Sequence, residues 1–212
     1  MSITIAIDGP AAAGKGTIGR ALAKEFNLLH LDTGLLYRAV GKKYLETDID
    51  ISDDEIAEIA ASLAPTDIVE SALRTTEIAQ SASFVAKIPK VREALVAKQR
   101  AIATQSNGAV LDGRDIGTVV LPQADVKLFV TASEDVRSQR RFEELVARGE
   151  DVRLDQVLAA VRRRDKNDSE RDASPLRQAE DTHLIDTSKL SIEEAIERAI
   201  GVVKDRLRAV PI

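Results

Sequence analysis

At 212 residues the chain has room for one α/β domain carrying inserted pieces, and one core is the expectation. A hydrophobic share of 44% suffices for a buried sheet, whereas 3% aromatics and a net charge of −5 argue against a base-stacking surface, nonspecific nucleic-acid binding and attraction to an anionic membrane. The lack of cysteine removes disulfides and thiolate metal sites, and the N-terminus enters a strand pattern without a basic-then-apolar leader, so a cytoplasmic protein with no membrane span is expected.

Residues 3–8 are an apolar run that reads as a buried strand, and a helical pattern opens at Lys15. Between them lies Gly9-Pro10-Ala11-Ala12-Ala13-Gly14, whose glycines let successive N–H groups point inward just where the helix start adds free donors and a positive dipole end. This pattern is a phosphate cradle. Lys15 would bridge terminal phosphates, and the Thr17 hydroxyl would sit on the accompanying magnesium, with Gly16 where Ser or Thr more commonly follows the lysine. A glycine-rich β–α turn would account for the glycines but not for Lys15 and Thr17.

The first helix runs over 15–26, with Ile18, Leu22 and Ala23 facing inward. Residues 28–31 read as a second strand ending at Asp32-Thr33-Gly34, with His30 a packed core histidine rather than a catalyst. Leu35, Leu36, Ala39 and Val40 then recur at helical spacing. Ser52-Asp53-Asp54-Glu55 matches a capping box opening a helix over 53–63, ahead of Pro65. The stretch 65–75 has no clear period. Helices follow over 76–85 and 89–105, the second with Pro89 in its first turn and Gly108 as its terminator. Strands are expected at 109–111, 126–130 and around Leu184-Ile185, and a last helix capped by Ser191 and Glu194 should reach about 208. Strands alternating with helices imply a parallel sheet, with 33–108 as a helical lobe on the core.

In such sheets ligands sit beyond the carboxyl ends of the strands, so Asp8-Gly9, Asp32-Thr33-Gly34 and Asp112-Gly113-Arg114-Asp115 should line one crevice. Asp112 stands where a carboxylate commonly holds magnesium or its water, or it is a turn-former before Gly113. Arg114 and Asp115 exceed what a turn needs and read as ligand contacts. Arg137, Arg140 and Arg141 share one helix face, where they either await an anion or belong to a solvated helix balanced by Glu143 and Glu144. The apolar stripe Leu154, Val157, Leu158, Val161 continues at helical spacing onto Arg164, Asp168 and Arg171, as if the face entered a polar cleft suited to phosphate and hydroxyl groups.

Four motifs, Gly9-Pro-Ala-Ala-Ala-Gly-Lys-Gly-Thr17, Leu31-Asp-Thr-Gly-Leu-Leu-Tyr-Arg38, Asp112-Gly-Arg-Asp-Ile-Gly-Thr118 and Arg164-Asp-Lys-Asn-Asp-Ser-Glu-Arg171, resemble bacterial cytidylate kinases over nearly the whole chain. The resemblance implies an α/β three-layer P-loop kinase fold with a parallel five-stranded sheet. It also implies a single domain that includes a monophosphate-binding lobe at 33–108 and a short lid at about 148–171. The implied reaction moves the γ-phosphate of ATP to CMP or dCMP, with Mg2+ accompanying ATP and no partner beyond these small molecules, in a protein acting as a monomer. By motif, residues 9–17 would bind ATP, and Thr17 and Asp112 the metal. Lys15, Arg137 and Arg141 would neutralise charge on the moving phosphoryl group. Arg38, Arg114, Arg164 and Arg171 would hold the acceptor phosphate beside Thr33, with Asp168 on the sugar and Ser83, Arg92 and Asp115 on cytosine. The lobe has only 65–75 where family members often carry a larger insert. A kinase of another small acceptor would share the fold, whereas a GTP-driven switch would need an Asn/Thr-Lys-x-Asp guanine reader, which the chain lacks.

Overall fold

The computed structural model describes residues 3–47, 51–104 and 107–209. Strands β1 (Ile3–Asp8), β2 (Leu29–Asp32), β3 (Gly108–Gly113), β4 (Val126–Thr131) and β5 (His183–Asp186) form one five-stranded sheet in the order β2-β3-β1-β4-β5. All four pairings are parallel. Strands this apolar are buried on both faces, and their side chains divide by the period of two. Ile5, Ile7 and Val110 point to a core shared with helices α1 (Lys15–Phe26) and α9 (Ile192–Ala209). Ala6, Ala109 and Leu111 point the other way, toward α6 (Pro89–Thr104) and a π-helical turn at Ile116–Val120. Helices on both faces complete the three layers.

Between β2 and β3 the chain forms α2 (Thr33–Leu45), α3 (Asp53–Ser62), α4 (Glu70–Leu73), α5 (Thr76–Val85) and α6. They bury a cluster of their own around Leu36, Val40, Ile56, Leu73, Val85 and Leu95. The capping box opening α3 is present: the Ser52 hydroxyl accepts from Glu55 N at 3.3 Å while Ser52 N donates to the Glu55 carboxylate at 2.7 Å. The aperiodic stretch 65–75 resolves into a 3-10 turn at Pro65–Asp67 and the single-turn α4, each too short to show a period. Gly108 does not end α6 but opens β3; the expected helix end at 105 lies outside the described residues. After β4 come α7 (Glu134–Ala147) and α8 (Leu154–Glu170), joined by a small cluster of Leu145, Val157 and Val161.

The π-helical turn has no local sequence cue, because what holds it is remote. The Asp8 carboxylate at the end of β1 accepts from Ile116 N and from Gly117 N, each at 2.7 Å. Asp8 is 5% exposed, and burial pushes its carboxyl up to about 6 despite these two donors. This bond pair fixes the backbone just after Asp115 and so aims the site residues that follow β3.

Candidate active site

The strand register brings the carboxyl ends to one level: Asp8 lies opposite Gly113, and Asp32 opposite Asp112. With β1 between β3 and β4, the crevice opens where the strand order reverses. The loop after β1 lies in it. Gly9 has φ 144, and a Cβ there would come within 1.9 Å of the Val130 carbonyl oxygen, so only glycine fits. Ala12 and Gly14 adopt left-handed backbone, φ 58 and 97, which turns the loop into the start of α1. Lys15 is 6% exposed, and its ammonium donates to Pro10 O at 2.7 Å. Burial, reinforced by Arg114, lowers its pKa to about 7. Thr17 is half-buried in the first turn of α1.

The ends of β2 and β3 hold paired acids. His30 Nε2 and Asp112 Oδ2 are 2.8 Å apart, so the packed His30 is also a partner of the expected metal carboxylate. The parallel register sets the two side chains on one face as diagonal neighbours, a relation invisible before the strands are paired. Gly19 of α1 is what allows this approach: a Cβ there would meet His30 Nε2 at 2.7 Å. Burial first, and Asp112 second, raise the Asp32 carboxyl. Thr33 is buried, its hydroxyl donating to Asp112 O at 2.7 Å.

Over these acids stand cations from three elements. Asp168 of α8 accepts from Arg114 Nε at 2.7 Å and has Arg164 Nε at 3.9 Å. Burial opposes its charge, yet Arg114, Arg164 and Arg171 together hold its carboxyl below the usual range. Burial depresses the Arg164 guanidinium to about 10, with repulsion from Arg114 and Arg141 added. Arg38 is lowered to about 10 by burial and by Arg164, Arg141 and Arg74, and its Nη1 donates to Leu73 O at 2.9 Å. Arg171 is not on the α8 face, because the helix stops at Glu170 and Arg171 is its extended C-cap (ψ 143). From there its guanidinium donates to Ser174 O at 2.8 and 2.6 Å and reaches to 3.9 Å from Asp115.

Asp115 and Arg92 are each 4% exposed and form a direct ion pair. Arg92 also lies over the Tyr37 ring, 5.5 Å from its centre. Ser83, on α5, donates its hydroxyl to Ala79 O at 3.1 Å. The three arginines of α7 separate. Arg137 is buried, bound to Asp165 at 3.0 and 2.6 Å and to Ala132 O at 2.9 Å, with Nη1 against Ala11 O of the loop at 3.3 Å. Arg140 grips Thr187, whose hydroxyl donates to Ala13 O at 3.0 Å. Arg141 pairs with Glu144 at 2.7 Å and repels Arg38 and Arg164 across the cleft.

A family model described as cytidylate kinase matches residues 5–205. The chain belongs to the cytidylate kinase family. It is 54% identical to a cytidylate kinase of Methylocella silvestris over 209 residues, 97% of each chain, and 52% identical to one of Cereibacter sphaeroides over 206 residues, again 97% of each. Its fold is shared with a shikimate kinase from Bacteroides thetaiotaomicron at a TM-score of 0.52 and 15% identity, covering 95% of this chain and 98% of that one. No helix among the described residues is long and apolar enough to cross a membrane.

In this cytidylate kinase family member Asp8 and Asp32, which their strand ends marked for the crevice, had received no specific role from the sequence, and Arg74 had not been singled out. Arg74, 3.5 Å from Asp32 and paired with Glu70, sits in the stretch that showed no period.

Proposed function

We propose that the chain transfers the γ-phosphate of ATP to CMP or dCMP. The observation that carries the reading is the crowd of Lys15, Arg38, Arg114 and Arg164, buried or half-buried and with repulsion among them, between the phosphate loop and the strand ends. Phosphate groups would offset that repulsion, and phosphoryl transfer is catalysed mainly by such positioning and charge neutralisation. The ATP phosphates would lie on residues 9–17, and the acceptor phosphate among Arg38, Arg114, Arg164 and Arg171 near Thr33. Asp168 would receive the sugar hydroxyls, and Ser83, Arg92 and Asp115 the base.

Lys15 would bridge the phosphates of the bond that breaks. Arg141, tethered among the described residues by Glu144 alone, would approach the moving phosphoryl group, while Arg137 would act from the position that Asp165 and the loop carbonyl impose. Asp112 and Asp32 face one another at the loop mouth, and the raised Asp32 carboxyl is the kind of strain a divalent cation relieves, so the residues suit Mg2+ held by Thr17 and Asp112. The ion would screen phosphate charge and orient the β- and γ-oxygens. Residues 33–108 would be the acceptor lobe and 148–171 the lid. They meet through Arg148 on Arg74 O at 2.9 Å, Thr76 on Glu150 at 3.0 Å and Lys87 on Asn167 at 3.4 Å, all solvent-exposed contacts.

Base choice tests the reading. A carboxylate accepts from the cytosine amino group and repels the uracil carbonyl, whereas an amide can donate to that carbonyl. Asp115→Asn is expected to shrink the CMP over UMP preference in kcat/KM by about ten- to hundredfold, the worth of one good base contact. Both acceptors are measured on the same variant, so any loss of folded enzyme from the weakened Arg92 pair cancels in the ratio. An unchanged ratio would show that Asp115 does not read the base.

A further inference from the structure

Helix α6 buries Val91, Arg92, Leu95, Gln99 and Ala103 along one side, and Gln99 is out of character there. It is 1% exposed, and among the described residues neither Oε1 nor Nε2 has a partner in hydrogen-bond geometry. A buried amide unpaired at both ends destabilises a fold, and leucine would fill similar space without that penalty. Such a residue calls for a reason outside stability.

Its surroundings supply one. Gln99 is two turns along the same face from Arg92, and the Arg92 guanidinium lies over the Tyr37 ring. The Gln99 amide lies beside the Tyr37 hydroxyl, near enough to favour the phenolate, though out of hydrogen-bond geometry. Burial pushes that hydroxyl up to about 12, so at neutral pH it keeps its proton and its oxygen can accept from the Gln99 amide nitrogen beside it. Arg92 in turn holds Asp115. A small shift of Tyr37 would close the Gln99 contact and move the plane on which Arg92 rests.

We propose that Gln99 is a positioning residue for base recognition: its carboxamide anchors the Tyr37 hydroxyl, and the Tyr37 ring thereby sets the angle at which Arg92 and Asp115 meet cytosine. The proposal rests on the reading of Arg92 and Asp115 as the base-reading pair. Gln99 touches no substrate; its cost falls on the fold and its benefit on the site.

The test compares wild type, Gln99→Leu, Tyr37→Phe and the double variant for Tm, for the KM of ATP and CMP, and for the CMP to UMP ratio of kcat/KM. Gln99→Leu is expected to keep its Tm or gain about 2–4 °C. The KM for ATP stays the same, the KM for CMP rises, and the preference for CMP falls about tenfold. Tyr37→Phe, which deletes only the hydroxyl, gives the same loss, and the double variant is no worse than either single one. A merely structural amide would instead lower Tm and move both KM values together. That result, or an unchanged CMP preference in either variant, overturns the proposal. If Gln99→Leu does not fold, Tyr37→Phe decides alone. A wild type with no preference for CMP would overturn the reading of Arg92 and Asp115, and this proposal with it.

Discussion

Replacing Lys15 by alanine is expected to lower kcat by about 10²–10³-fold, the usual loss when one preorganised donor to developing charge is removed. Lys15 is 6% exposed and its ammonium rests on Pro10 O at 2.7 Å, so the loop itself fixes where it points. A charge desolvated to this degree interacts strongly with phosphate oxygens, because little water competes. The same desolvation makes Lys15 a burden on the fold, as its lowered pKa shows. The variant should therefore melt no lower than the wild type while losing its turnover. A folded Lys15→Ala enzyme with near-wild-type kcat would sink the assignment of residues 9–17 as the ATP cradle.

The second large effect is expected at Asp168, a buried carboxylate balancing Arg114 and Arg164, with Arg171 nearby. Asp168→Asn leaves these cations without their counter-charge, and breaking a buried pair by removing one partner typically costs about 3–5 kcal/mol. At about 2–4 °C per kcal/mol for a chain of this size, Tm at pH 7 should fall by roughly 6–20 °C. The sign with pH follows from the depressed carboxyl. Its stabilising contribution is complete above the unfolded pKa of about 3.9 and is lost as pH falls through the lower folded value. The gap between wild type and variant should thus be widest near neutrality and narrow in acid. Thermal unfolding followed across pH checks this, and a gap that is absent at pH 7 or widens in acid would show that Asp168 does not bind the arginines together.

What could be read from the sequence was local. The phosphate loop, the strands that feed the crevice and the Ser52–Glu55 and Ser191–Glu194 caps each declare themselves within a few residues, through periodicity, glycine placement or a short polar motif. Asp112, Arg114 and Asp168 were legible as site candidates because each interrupts or ends an apolar pattern. Their partners were not. Asp8 holds backbone more than a hundred positions away at Ile116 and Gly117, and His30 meets Asp112 only after β2 and β3 pair. Arg137 could be placed on a face with Arg140 and Arg141, but Asp165, Thr187 and Glu144 divide the three among different tasks that one helix cannot reveal. Arg171 shows the limit of periodicity itself, since the spacing continues one residue past the point where the helix stops. Gln99 was hidden for a related reason: a glutamine at a buried helical position has no pattern that distinguishes it from a surface one until its neighbours are known.

Release of ADP from ATP and magnesium, measured with CMP, dCMP, UMP and AMP as separate acceptors under matched conditions, tests the central claim most directly. Rapid turnover of CMP or dCMP, with UMP slower by about tenfold or more and AMP slower still, is the predicted result. Equal turnover of UMP or AMP, or ADP release with none of the four, would contradict it.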